Sequence, residues 1–224
     1  MDKLCYIFLY FVFYSIIGYV CEVFYVYLGD KKWVNRGFLH GPYIPIYGNG
    51  AMIVSLALMH VKKDSFTLFR SGLVLCSILE YITSYVMEKI FHNRWWDYSE
   101  RKYNLNGRVC LQNSVLFGLG SVAIIYVFNP LFNKLYNALG FKTALYVAIV
   151  LFIIMLVDFS ISFFEAIKVS NIASHLDKFM EEFEKKKEST KRIKTRLMEA
   201  YPYLVKRNFK FLDKIKNYKK KRKN

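Results

Sequence analysis

An all-α, polytopic transmembrane helix bundle of about five spans, followed by a basic, helical C-terminal extension, is the fold class this sequence predicts. Three observations lead there. Five apolar segments occupy most of residues 1–165, and four of them approach the ~20 residues a helix needs to cross ~30 Å of hydrocarbon. Apolar residues make up 54% of the chain and aromatics 18%, which suits lipid contact better than an aqueous surface. The formal charge of +16 is also unevenly placed. Residues 1–167 hold 14 Lys/Arg against 10 Asp/Glu, and residues 168–224 hold 19 against 7. The chain therefore divides into a membrane domain, 1–167, and a basic tail, 168–224. A bilayer core offers the backbone no hydrogen-bond partners, so each apolar segment must close its own as helix.

The first segment, residues 4–28, is too long for a signal-peptide core. Lys3 is its only basic flank and no small-residue cleavage site follows, so it reads as a retained span. The second, residues 44–59, is short and interrupted by Gly and Pro, and reads either as a span or as a re-entrant segment. Lys and Arg collect on cytoplasmic loops. With five spans, Lys31, Lys32, Arg36, Lys89, Arg94, Arg101, Lys102 and Arg108 lie inside, and Lys3, Lys62, Lys63, Arg70, Lys134 and Lys142 outside. Leaving out the tail, that is eight against six; a re-entrant second segment turns it into six against eight. The count favours five spans, with the N-terminus outside and the C-terminus cytoplasmic.

Residues 69–90 and 109–128 form the third and fourth spans, and 143–164 the fifth. Between the last two, Leu131, Leu135 and Leu139 share a face at i, i+4 spacing. Asn129 suits a cap, Pro130 the first helical turn, and Gly140 the residue after the last. The expectation there is a short helix lying along the outer membrane surface. In the tail, Ile172, Leu176, Phe179 and Phe183 recur at helical spacing, as do Ile193 and Leu197. Pro202 breaks that helix, and residues 204–215 offer a second. The closing run 219–223 is five basic residues. Nucleic acid is a poorer partner for a tethered basic tail than anionic lipid headgroups, which contribute about 1 kcal/mol per charge near the surface. An ordinary cytoplasmic anchor serves equally.

Acidic residues inside the spans are the next signal. Each costs about 2.5–3.5 kcal/mol at a helix centre, so they face protein, water or a partner charge. Ser15, Gly18 and Glu22 share one face of the first span. Ser77, Glu80, Ser84 and Glu88 share one face of the third, and Asp158, Ser162 and Glu165 one face of the fifth. Glu22, Glu88 and Asp158 fall in cytoplasmic halves and Glu80 near the midplane. Arg36 and Arg108, at the starts of the second and fourth spans, are the expected partners. A charge-paired pocket open to the cytoplasm follows, although Glu88 and Glu165 can also snorkel at the interface.

Two loop-to-span stretches exceed what a connector needs. In NRGFLHGPYIPIYGNG, residues 35–50, glycines and prolines interrupt helix where the chain enters the membrane, just before and around Tyr47. Irregular backbone at that depth needs a cover of protein or water, and in transporters it often builds the substrate site. A kinked helix start is the simpler reading. In WWDYS, residues 95–99, and NLNGRVCLQNS, residues 104–114, Trp96 and Asp97 sit close to Arg108 in sequence. An aromatic belt explains Trp and Tyr at a boundary but not Asp97 or Gly107-Arg108. Arg108 suits a carboxylate or phosphate held by two hydrogen bonds.

Together these two motifs and the Glu80/Glu88 span resemble the CmpB-like ABC-transporter type IV family, over roughly residues 5–165. The resemblance implies a multi-pass protein of the bacterial cell membrane with a permease-like role. The family pattern often reads Trp-Gly near the middle of the fourth span, where this chain has Phe117-Gly118.

The sequence contains no GxxxxGK[ST], so an ATP-driven role requires a separate ATPase subunit. No HExxH, GxSxG or CxxC occurs. Cys5, Cys21, Cys76 and Cys110 read as small, reduced, buried side chains, and His40, His60, His92 and His175 as plain polar contacts. No cofactor and no metal is implied, and soluble-type enzyme chemistry has no support. The leading expectation is a permease-like subunit moving a small or amphiphilic solute. Its pathway would be lined by Glu22, Arg36, Tyr47, Glu80, Glu88, Trp96, Asp97, Arg108 and Asp158. The rivals are a non-transporting scaffold or regulator, and an intramembrane enzyme acting on lipid or envelope intermediates. Substrate, direction and homo-oligomer formation stay open.

Overall fold

The computed structural model describes residues 2–174, apart from Lys32, Val34, Arg36, His92 and Asn93. The tail helices expected beyond residue 174, and the closing basic run, lie outside the described residues. Regular structure comprises α1 (Asp2–Asp30), α2 (Pro45–Leu58), α3 (Ser65–Phe91), a small hairpin of β1 (Asn104–Leu105) and β2 (Val109–Cys110), α4 (Leu111–Ala123), α5 (Asn129–Leu139) and α6 (Phe141–Ser174). The polytopic all-α bundle expected from the apolar segments is what forms. Among the described residues, four helices are long and apolar enough to cross a bilayer, and Pro45–Val61 is a shorter apolar fifth.

Cross-helix contacts fix the directions. The Ile44 amide donates to the Ser15 carbonyl at 2.9 Å, and the Tyr10 hydroxyl lies 2.5 Å from Ser55 Oγ, so α2 runs antiparallel to α1. Ser77 and Ser114 are joined at 2.7 Å and Gly72 meets Ser121, so α4 returns antiparallel to α3. α5 continues back along α1, with Tyr10 on Asn129 and Tyr6 on Asn133. α6 then descends beside α1, where Phe8 packs on Phe152. Thus α1, α3 and α6 run one way and α2 and α4–α5 the other. The directions alternate through five helical runs, four of them long enough to cross a bilayer and Pro45–Val61 shorter. Residues 37–44, largely bends, lead into α2 and reach α1 where the Ile44 amide meets the Ser15 carbonyl.

Small residues set the close approaches. A Cβ at Gly18 would run into the Tyr47 ring, one at Gly48 into Ser15 and Phe11, and one at Gly118 into Phe69. Without a hydrophobic drive between helices in lipid, such backbone-close packing is a main source of association. Asp64 starts α3, accepting from the Phe66 amide at 3.0 Å and from the Thr67 hydroxyl. The Thr67 hydroxyl and the adjacent amides hold the Asp64 carboxyl below the usual carboxylate range. The exposed large apolar side chains, Leu4, Leu56 and Phe164 among them, form the outer face that suits lipid.

Three expectations need correction. The segment 129–139 is not a separate surface helix. α4 passes into it through one π-helical turn, Ile124–Phe128, so that Leu111–Leu139 forms one apolar helix. Asn129 does not cap a helix start; its side chain is buried and receives the Tyr10 and Tyr14 hydroxyls at 2.7 Å each. Gly140 does terminate the helix, with φ +68°. Trp95 is buried against Phe38 and Phe91. Of the cysteines, all free, Cys5 and Cys110 are buried but Cys21 is exposed.

Candidate functional site

Residues 94–110 fold as a compact cap built by their own polar side chains. Gly107 adopts φ +68°, which L-residues resist, while Asn104 Oδ1 accepts its amide at 2.9 Å. The Tyr98 amide donates to the Gly107 carbonyl at 2.8 Å, and Trp96 Nε1 to the Arg108 carbonyl at 3.0 Å. Asp97 Oδ1 turns the chain by accepting from the Ser99 amide at 3.0 Å. Trp96 and Asp97, read from sequence as site residues, are therefore builders of this cap.

The cap aims Arg108 at α3. Arg108 Nη2 stands 2.5 Å from Glu88 Oε2, Nη1 donates to Ser84 Oγ at 3.3 Å, and the guanidinium lies 5.6 and 5.4 Å from the Tyr81 and Tyr85 rings. Arg94 Nε adds a second contact to Glu88 at 3.2 Å. The two-pronged capacity of Arg108 is thus spent on Glu88 and Ser84, and the arginine is a clamp between α3 and the hairpin. Arg36, the other expected partner, lies outside the described residues.

A second node ties residues 37–44 to α6. Asp158 Oδ1 accepts the His40 amide at 3.0 Å, and Oδ2 accepts the Gly41 amide at 2.8 Å and the Tyr43 hydroxyl at 2.6 Å. The His40 ring bridges Asp158, 3.1 Å from Nδ1, and Glu165, 3.2 Å from Nε2, with Ser162 Oγ 2.8 Å from Nδ1. His40 and Tyr43 escaped the sequence reading. The available signal was Asp158 itself, a carboxylate in a span that needed donors.

The third node lies between these two, where α1, α2, α3 and the cap converge. The Tyr47 hydroxyl donates to Glu22 Oε2 at 2.7 Å. The Tyr98 hydroxyl, descending from the cap, meets Glu80 Oε1 at 3.4 Å. Glu80 is only 5% exposed, the Asn113 side chain flanks its carboxyl, and its Oε2 has no hydrogen-bond partner. The Glu22 charge is close enough to act on Glu80, and both Glu80 and Tyr98 on Tyr47. Phe117 stands edge-on to Tyr47 at 6.3 Å. Tyr98 and Asn113 sit inside the quoted motifs but were not read as site residues.

The nodes differ in chemistry. Glu88 and Asp158 are satisfied by arginines, amides and hydroxyls, and each pins an irregular segment to a helix. The Glu22–Tyr47–Glu80–Tyr98 node instead gathers two carboxyls and two phenols, with Glu80 buried and the other three half-buried. Buried polar groups are nearly always paired, so the Glu80 oxygen is the exception among the three nodes. Among the described residues no cluster of His, Cys, Asp and Glu has metal-holding geometry.

Residues 9–163 match the CmpB family model, described as "Putative ABC-transporter type IV". No curated protein and no solved structure matches the chain. The matched stretch exceeds half the chain and contains both loop motifs, and the chain belongs to this family.

Proposed function

We propose that this member of the ABC-transporter type IV family is a permease-like subunit of the bacterial cell membrane. In this reading it moves a small or amphiphilic solute through the Glu22–Glu80 node, energised by a separate ATPase. One observation carries the reading. Two irregular segments, 37–44 and 94–110, enter the bundle from the same end; the first leads into the α2 turn that sets Tyr47 on half-buried Glu22, and the second sets Tyr98 on buried Glu80. Non-helical backbone at such depth is stable only when covered by protein or by a water-filled cavity, and an unspent Glu80 oxygen gives that depth a purpose beyond packing.

The segments also suggest the moving parts. Residues 37–44 are latched to α6 through Asp158, and the cap to α3 through Glu88 and Arg108. Release of either latch opens the node from the loop end. That end faces the cytoplasm in this proposal, with the N-terminus outside, and the basic tail holds anionic headgroups. An ATPase docking against the loops reaches both latches without entering the membrane.

The experiment is copurification from native membranes in mild detergent, with partners identified by mass, beside uptake or efflux in cells. An associated nucleotide-hydrolysing subunit, lost on deleting residues 99–104 but retained in Glu80→Gln, together with loss of solute movement in both, supports the proposal. Purification alone, with a normal phenotype for Glu80→Gln, favours a scaffold and removes the transport reading.

A further inference from the structure

We infer that the exposed face of α2 is a contact between two copies of this chain, which meet about Asn49. This goes beyond the transport reading and does not rest on it. α2 has two unlike faces. Gly48, Ala51, Val54 and Leu58 are buried against the bundle, whereas Asn49, Ile53 and Leu56 recur at spacings of 4 and 3 on the other side. Ile53 is 37% exposed and Leu56 85%. Asn49 is exposed as well, and its side chain donates to the Pro45 carbonyl of its own helix at 3.1 Å, the one hydrogen bond that side chain makes among the described residues. Its depth makes this costly. The Ile44 amide meets the carbonyl of Ser15, the middle residue of the Asp2–Leu28 span, and a Cβ on Gly48 would run into Ser15 and Phe11. Asn49 therefore stands near the centre of the bilayer, with an amide oxygen and one N–H unbonded.

Hydrocarbon chains offer neither group a partner. The node offers none either, because Tyr47, two residues earlier, leaves α2 on the opposite side. A second copy does. Two copies inserted the same way round share a twofold axis along the bilayer normal, so a residue at that axis meets its own counterpart at the same depth. A carboxamide carries both donor and acceptor, and two of them facing across the axis exchange two N–H···O bonds. Interhelical bonds of this kind help to hold membrane helices together. The spacing of Asn49, Ile53 and Leu56 is also that of a seam between two helices crossing at a shallow angle. In such a seam a single amide among apolar positions fixes register and oligomer state. Ile53 and Leu56 supply the apolar remainder.

The test follows full-length protein in liposomes across a series of protein-to-lipid ratios, with the dimer fraction read by single-molecule photobleaching. Expected is a reversible wild-type dimer, weakened about tenfold by Asn49→Leu, the scale of two interhelical hydrogen bonds. Asn49→Gln keeps the carboxamide and should weaken it far less. Val150→Ala, at a 55% exposed position on α6, should leave it unchanged. In a cysteine-free background, Leu56→Cys should form an intermolecular disulfide on oxidation and Val150→Cys should not. Should Asn49→Leu fail to fold, Ile53→Ala and Leu56→Ala serve in its place, each weakening the dimer several-fold. The inference is overturned if wild type is monomeric at every density, if the dimer survives the α2 variants undiminished, or if α6 cross-links instead of α2. It is overturned equally if a water-soluble maleimide reaches Asn49→Cys in the liposomes, which assigns an aqueous path to that face. A different protein held by monomeric wild type and lost in Asn49→Leu would assign another occupant and overturn it too.

Discussion

Arg108 Nη2 and Glu88 Oε2 stand 2.5 Å apart, and that contact joins the hairpin before α4 to the last turns of α3. The pair is mostly shielded, with 11% of the Arg108 side chain and 29% of Glu88 exposed. Removing Arg108 leaves Glu88 with Arg94 alone, 3.2 Å away, and frees the hairpin from α3.

Arg108→Met is expected to destabilise the bundle by about 1–3 kcal/mol, the scale of hydrogen bonds to a charged group, because Glu88 keeps Arg94 as a partner. Glu88→Gln in the Arg108→Met chain costs less than it does alone, because the Arg108–Glu88 contact is already lost. Arg108→Lys keeps the charge but not the fork, and falls between. Unfolding midpoints in detergent for the two single variants and the double variant check this. Additive effects would show that the two side chains do not couple.

Which faces turn inward was legible in the sequence, and which partners meet them was not. Ser77, Glu80, Ser84 and Glu88 fall on one stripe by helical spacing alone, and the stripe does face the α4 side. The same holds for Ser15, Gly18 and Glu22 against α2. Partners such as His40, Tyr43 and Tyr98 come from irregular backbone, whose path no periodicity encodes. Asn129 misled for a different reason. Asn before Pro is a local capping signal, while its actual partners, Tyr10 and Tyr14, lie more than a hundred residues away in the chain.

At the opposite end of the bundle from the cap, Asn129 gathers the hydroxyls of Tyr10 and Tyr14 at 2.7 Å and donates to Ser55 Oγ at 3.0 Å. Asn129→Leu conserves volume but removes the acceptor of the Tyr14 phenol, while Tyr10 keeps its contact with Ser55 Oγ. The expected cost is about 1–3 kcal/mol, between the average interhelical hydrogen bond in lipid and a buried unpaired donor. Tyr14→Phe costs less, since it removes donor and need together.

Gly118 and Gly120 form an internal comparison on α4. A Cβ at Gly118 would lie 2.6 Å from the Phe69 ring and 3.0 Å from the Phe69 carbonyl, whereas one at Gly120 meets nothing within 4 Å. Gly118→Ala must push α3 and α4 apart and is expected to cost about 1–3 kcal/mol. Gly120→Ala is expected to be neutral, or to stabilise by about 0.5–1 kcal/mol through helix propensity. Equal effects at the two positions would show that α3 and α4 do not pack as described.

Asp64 gives a pH-dependent prediction outside the spans. Its folded carboxyl lies below the ordinary value because Thr67 and the α3 amides bond its charged form. A depressed folded value contributes stability that is present above the unfolded pKa and is lost as pH falls through the folded one. The start of α3 should therefore loosen on acidification in wild type. Asp64→Asn keeps a capping oxygen without the charge and should abolish that acid dependence. Amide exchange of Phe66 and Leu68 across acidic pH, in both proteins, reads the difference.

The direction of each helix makes the last prediction. α2 ends beside the start of α3, where Tyr126 bonds the Lys62 carbonyl, and this is the end at which α1 begins. Lys3 and Lys62 thus share one end of the bundle, while Tyr103, 79% exposed on the cap, stands at the other. In a cysteine-free background, Lys3→Cys and Lys62→Cys should label together from outside intact cells, and Tyr103→Cys only after permeabilisation. The choice of outside comes from the Lys/Arg distribution, but the grouping comes from the fold alone. Inverted labelling with the same grouping would reverse the orientation and leave the bundle intact. Lys62 labelling with Tyr103 instead of Lys3 would mean that the Pro45–Val61 helix returns to the side it left. Residues 37–44 could not then follow α1 as far as Ser15, and the Tyr47–Glu22 contact on which the node depends would not form.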